Sequence, residues 1–204
     1  MIPVRHVGRA VLVVWALVCT LGAGALLAFH LLSLPVPPID DPVLTQALAA
    51  NQTVDERGHW RVVHVLYARC PCSKQILSSL IEAGPAEVAE RVVLVDDSTD
   101  LTARLITAGF RVDRLTHAEL GARWHIEAAP LLLVADDAGR VRYAGGYTER
   151  KQGPILDTHA LVAALRRGAP RSTLPLFGCA TSQELQSLID PLHIKRVMQW
   201  LSPG

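Results

Sequence analysis

Two cysteines one residue apart, Cys70 and Cys72 with Pro71 between them, stand where the β-branched run Val62 to Tyr67 gives way to a helical pattern beginning near Ser73. Thiols at that spacing can share a disulfide or grip a soft metal ion. A helix starting just beyond them presents unpaired N–H groups and the positive end of its dipole, both of which stabilise a thiolate. Redox chemistry is therefore the leading expectation, with two inert thiols in a structural turn as the alternative. A disulfide closed across one residue forms a tight ring, and strain there makes it easier to reduce.

The flanking pattern supplies the elements that must position these thiols. Residues 42–50 read as a short helix, 60–68 as a buried strand and 73–83 as a helix whose apolar face carries Ile76, Leu77, Leu80 and Ile81 before Gly84 and Pro85 stop it. Residues 91–95 make a second buried strand, 101–108 a helix and 110–112 a short edge strand. Thr116 with Glu119 resembles a capping box for a helix running to Trp124. Residues 130–135 form a third strand, and the turn Asp137, Ala138, Gly139 returns the chain as a hairpin strand over 141–144. A helix over 159–167 ends at Gly168. Strands alternating with helices and closed by an antiparallel hairpin predict a three-layer α/β domain.

Composition excludes one partner class and suggests a compartment. Lys and Arg number 20 against 19 Asp and Glu, so no basic footprint for nucleic acid stands out. Arg5 and Arg9 precede a stretch, Ala10 to Leu34, with no Asp, Glu, Lys or Arg, longer than the roughly 20 residues that cross a bilayer core. No small-residue cleavage site follows, so an uncleaved signal anchor is expected, with the basic end cytoplasmic and the rest exported. Pro35, Pro37 and Pro38 then predict a stiff spacer. The expected organisation is a cytoplasmic N-terminus over 1–9, a transmembrane anchor over 10–34, a linker over 35–41, the α/β domain over 42–168 and a C-terminal helical extension over 169–204. Of the 4 cysteines, Cys19 falls in the apolar stretch, which leaves Cys70, Cys72 and Cys179 on the exported, oxidising side.

The order of parts resembles the thioredoxin superfamily, in particular its membrane-anchored TlpA-like and ResA-like branch. The resemblance covers about residues 42–168. It is carried by the strand VVHVLYA with the Cys70-Pro71-Cys72 turn and helix, by the extra segment between Asp96 and Trp124, and by WHIEAAPLLLVADDAGRVRYAGG. The stretches GGYT and PLFGCAT are also similar to the anchored RedB-like subgroup. The resemblance implies a thioredoxin-like mixed sheet, and a cis proline at Pro130 that sets the Ala129 backbone beside the thiols to pair with a substrate peptide. It also implies an inner-membrane thiol–disulfide oxidoreductase facing the periplasm, acting without a cofactor on protein thiols or disulfides, with a membrane reductant or oxidant as partner. The family spacing is Cys-x-x-Cys, one residue longer than here. Either Cys70 is the exposed nucleophile of a shortened turn, the favoured choice, or Cys72 takes the buried cysteine's place and Arg69 the exposed one's. The buried proton-transfer carboxylate of the family falls at His64 or Val65, which leaves that role unassigned.

Cys179 lies beyond the core, followed by Thr181 and Glu184 in capping-box spacing, and apolar Leu185, Leu188, Ile189 and Leu192 share one face of the stretch over 182–201, which is broken at Asp190-Pro191. It could fold back as a second resolving thiol, pair with an outside partner or join a three-sulfur site. The runner-up function is a copper(I)-binding chaperone similar to the Sco type, using Cys70 and Cys72 with Cys179 or one of His59, His64, His117, His125, His159 and His193. A redox-inactive interaction module is the third.

Overall fold

The computed structural model describes residues 4–190 except 88, 98 and 171, and the chain divides into two compact units, residues 1–32 and 33–204. The first is built on helix α1 (Val4–Leu31), whose Val11, Leu12, Val13, Val14, Trp15, Leu17, Val18 and Leu21 are exposed. Among the described residues no helix is long and apolar enough to cross a membrane, so the anchor expected over 10–34 finds no support there. Leu34 and Val36 belong to the second unit: Leu34 is buried in its core, and its N–H donates to Leu176 O at 2.8 Å. The proline-rich 35–41 segment thus starts on the domain, with Pro37 buried.

The second unit is built on a five-stranded sheet. Strands β1 (Arg61–Tyr67), β2 (Ala89–Val95) and β3 (Arg111–Leu115) run parallel, while β5 (Leu131–Ala135) and β6 (Val141–Gly145) run antiparallel, in the order β3-β2-β1-β5-β6. A separate pair joins β4 (Ala128–Ala129) to β7 (Cys179–Ala180). Alternation along β1 sends Val63 and Val65 to one face and Val62 and Leu66 to the other. On the first face pack Leu44 and Leu48 of α2 (Pro42–Ala50) and Leu120 and Trp124 of α5 (His117–Trp124). On the second pack Ile76 and Leu77 of α3 (Pro71–Ala83), Leu105 of α4 (Thr99–Thr107) and Leu161, Val162 and Leu165 of α6 (Thr158–Arg166). Each of these buried side chains contributes about 1.5–3 kcal/mol. The mixed α/β architecture with a mixed five-stranded sheet matches a thioredoxin-like fold.

Three local differences from the sequence pattern have physical causes. Helix α3 starts at Pro71, because proline's fixed φ and missing N–H suit the first helical position, so Cys72 sits inside the first turn rather than ahead of it. Strand β3 spans five residues instead of the short 110–112, its pattern masked by charges that pair: Arg91 reaches Asp113 at 2.8 Å, and Arg111 contacts Asp55 and, at 2.9 Å, Glu56. Helix α7 (Gln183–Ile189) is capped by Ser182, whose Oγ accepts from Leu185 N at 3.1 Å, while Thr181 is drawn into the core by its N–H bond to Glu127 O at 2.6 Å. The Thr116–Glu119 capping box forms as expected. Leu192, His193 and the rest of the helical extension beyond 190 lie outside the described residues.

Candidate thiol site

Cys70 is the N-cap of α3, placed there by a tight turn after β1 in which its N–H donates to Tyr67 O at 2.9 Å. Ser73, fully buried in the first turn, accepts from Tyr67 N through its Oγ at 3.1 Å and so ties the strand end to the helix start. The Ala129–Pro130 peptide bond is cis, and Ala129 O lies 3.9 Å from the Cys70 sulfur. Ala129 therefore stands beside Cys70.

The exposure of the pair is the reverse of the favoured expectation. Cys70 is fully buried and Cys72 is exposed. What covers Cys70 comes from the far end of the chain: β7 pairs antiparallel with β4, setting Cys179 opposite Ala129 and Ala180 opposite Ala128. The Cys179 thiol hydrogen-bonds to the Cys70 sulfur, and the Cys72 thiol does the same. All three sulfurs that sequence reasoning singled out thus meet at one helix tip.

These contacts set the acidities. Hydrogen bonds from Cys179 and then Cys72 push the Cys70 thiol down to about 3, against the opposing effect of burial. The amide N–H groups of Ser73 and Cys72 add to the lowering, although no capping hydrogen bond forms. Cys72 is pushed up, first because its proton is donated to Cys70, then by desolvation and the Cys70 charge, with Lys151 opposing. One thiolate fed by two thiol donors is an arrangement for nucleophilic sulfur chemistry.

The covering segment, residues 173–181, is fitted closely. Gly146 N donates to Leu174 O at 3.0 Å, Leu176 is buried, and Thr181 N is bonded to Glu127 O. A Cβ added to Gly146 would lie 2.0 Å from Pro175 O, and one added to Gly178 would lie 2.0 Å from Ala129 O and 2.6 Å from Pro130 Cδ. Gly146 of GGYT thus lets the backbone approach Pro175 of PLFGCAT, and Gly178 of PLFGCAT lets that segment approach the Ala129–Pro130 backbone.

The remaining candidates are placed elsewhere. Val65 packs in the core facing α2 and α5. His64 is fully buried between Glu90, whose Oε1 is 2.8 Å from Nε2, and Tyr147, whose hydroxyl is 2.7 Å from Nδ1. In the tautomer that satisfies both, Nε2–H donates to Glu90 and Nδ1 accepts from Tyr147. Burial works against it, but the His64 bond holds the Glu90 carboxyl below its ordinary value; burial followed by the Glu90 charge raises the Tyr147 phenol. Sequence reasoning missed this trio, because its members come from three separate elements. Tyr147→Phe removes the proton that Nδ1 accepts and is expected to cost about 1–3 kcal/mol in a urea titration. His125 pairs with Asp41 at 3.0 Å and His117 lies 3.9 Å from Asp96. Among the described residues no group of three His, Cys, Asp or Glu side chains is arranged to hold a metal ion.

No family model matches this chain, and no curated protein matches it. Solved structures similar to it include a conserved protein from Geobacillus kaustophilus, 18% identical, covering 62% of this chain and 78% of that one with a TM-score of 0.49. StoA from Bacillus subtilis is 20% identical over 43% of this chain and 73% of its own, with a TM-score of 0.33. The N-terminal domain of PilB from Neisseria gonorrhoeae is 12% identical over 56% and 80%, with a TM-score of 0.36.

Proposed function

We propose that this protein is a thiol–disulfide oxidoreductase in which Cys70 and Cys72 form the redox pair, carried on the periplasmic side of the inner membrane by its N-terminal helix. The observation that supports the chemistry is the Cys70 sulfur at the tip of α3, receiving hydrogen bonds from two other thiols. The Cys70 thiolate attacks a substrate disulfide RS–SR′, forms Cys70–S–SR and expels R′S⁻. Cys72 passes its proton to that thiolate, attacks the Cys70 sulfur and expels RS⁻, leaving a Cys70–Cys72 disulfide and a substrate reduced by two electrons. Run backwards, the same steps oxidise a dithiol. Protein thiols and disulfides are the substrate class, and a membrane reductant or oxidant would reset the pair.

Equilibration in glutathione redox buffers, with free thiols counted at each potential, tests this directly. A single reversible two-electron transition is expected, and thiols unchanged at every potential would overturn it. The location is supported by the charge-free stretch 10–34 after Arg5 and Arg9. On alkaline carbonate extraction the full chain is expected to stay with the membrane pellet; release into the supernatant would remove the anchor.

A further inference from the structure

Cys70 cannot meet an external disulfide in the conformation described, because its sulfur is wholly buried and the Ala129 edge beside it is already paired with Cys179. The sulfur that does reach Cys70 is the chain's own. We propose that residues 173–181 are a redox latch, in which Cys179 is the disulfide partner that closes the site over Cys70, and transfer of that disulfide to Cys72 releases the latch. This rests on Cys70 being redox-active, as proposed above.

The geometry supplies each part. Cys179 is held in register by the β4–β7 pair, with Gly178 laid flat on the Ala129–Pro130 peptide and Thr181 N–H fixed to Glu127 O. Cys179 is paired with Ala129, whose carbonyl oxygen lies 3.9 Å from the Cys70 sulfur, so the two cysteines flank the same residue. Cys72 stands two residues on in the first turn of α3 and is exposed.

Closure needs an oxidant, which is a small-molecule or protein disulfide. While the unlinked segment is transiently open, the Cys70 thiolate attacks RS–SR and expels RS⁻; as the segment settles back, Cys179 gives its proton to that thiolate, attacks the Cys70 sulfur and expels the second RS⁻. Opening needs none. Cys72 attacks Cys70 in the Cys70–Cys179 disulfide, its proton passes to the departing Cys179 sulfur, and one disulfide is exchanged for another with no net change in electrons. With the thiols free the segment still lies over Cys70, held by the two-residue β4–β7 pair, the Leu174 and Thr181 backbone bonds and buried Leu176, so losing the sulfur link leaves only these contacts to break in a local opening.

The test uses the full chain oxidised with glutathione disulfide, digested with trypsin without reduction and mapped by mass spectrometry. Cleavage after Arg69 and Lys74 leaves Cys70 and Cys72 on one peptide, and Cys179 on the peptide 172–195. Wild type is expected to yield the two peptides linked, and Cys72→Ser must keep the link, which assigns it to Cys70. Cys179→Ser must yield only the internal Cys70–Cys72 loop. In parallel, Gly178→Ala forces the latch off Ala129 and should speed iodoacetamide labelling of reduced Cys70 by about tenfold or more. An internal loop alone in wild type, with Cys179 alkylatable and no link in Cys72→Ser, overturns the latch and leaves the redox pair standing. No disulfide in any variant overturns both.

Discussion

Replacing Cys70 with serine is expected to reduce disulfide exchange to the uncatalysed background, while Cys72→Ser and Cys179→Ser each retain the first chemical step. The asymmetry follows from the contacts at the tip of α3, where both other thiols donate toward Cys70 and neither receives its proton. A hydroxyl in place of the Cys70 thiol is a far weaker nucleophile at neutral pH, and no adjacent base among the described contacts would deprotonate it. Turnover of a dithiol–disulfide probe, followed by thiol release, measures the loss. Mixed disulfides should accumulate most in the Cys72→Ser/Cys179→Ser double variant, because either thiol alone can resolve the adduct. Full activity in Cys70→Ser would move the nucleophile to Cys72. The acidity gives a second readout. With the Cys70 value near 3, its thiolate absorbance should persist as pH falls from 9 to 5, where an ordinary thiol is fully protonated. Cys179→Ala removes the first of the two donors, so the loss of thiolate absorbance should move to higher pH.

The sheet and the position of the thiols were legible in the sequence; the cover over them was not. Val62 to Leu66 and Leu131 to Val134 are apolar enough to mark themselves as central strands, and Gly139 at φ 81° closes the hairpin that the Asp-Ala-Gly turn announces. Pro71 fixes the helix start beside Cys70. The burial of Cys70 had no local signature, since it depends on a pairing between residues 128–129 and 179–180 that are remote in the chain. GGYT and PLFGCAT were visible as motifs, yet nothing in either string says that one glycine pair and one lone glycine fit the two ends of the same segment. The charged β3 edge was similarly opaque, because Arg111 and Asp113 look like loop residues until Glu56 and Arg91 are seen beneath them.

Glu56→Ala is expected to be the most destabilising single substitution in the domain, by about 3–5 kcal/mol. Glu56 is fully buried in the 3-10 turn Val54–Glu56 and its carboxylate meets three partners. The Arg91 guanidinium donates to its oxygens at 2.5 and 2.6 Å, Arg111 donates at 2.9 Å, and Thr53 N–H donates at 3.0 Å. Truncation leaves Arg91, itself buried, with Asp113 as its remaining carboxylate partner. For a domain of this size the midpoint of a thermal melt should fall on the order of 10 °C. Glu56→Leu combined with Arg91→Leu should recover part of the loss, because removing both charges also removes the desolvation that the survivor would bear. The pH dependence carries a definite sign. Burial raises the Glu56 carboxyl, but Arg91, the Thr53 N–H and Arg111 hold it below its ordinary value. Its contribution is therefore complete above the unfolded carboxyl value of about 4.3 and disappears as pH falls through the lower folded one. Wild type and Glu56→Ala should thus converge in stability on acidification below about pH 4 and stay apart at neutral pH. A constant gap across that range would show that the cost of truncation lies in packing rather than in the buried charge cluster.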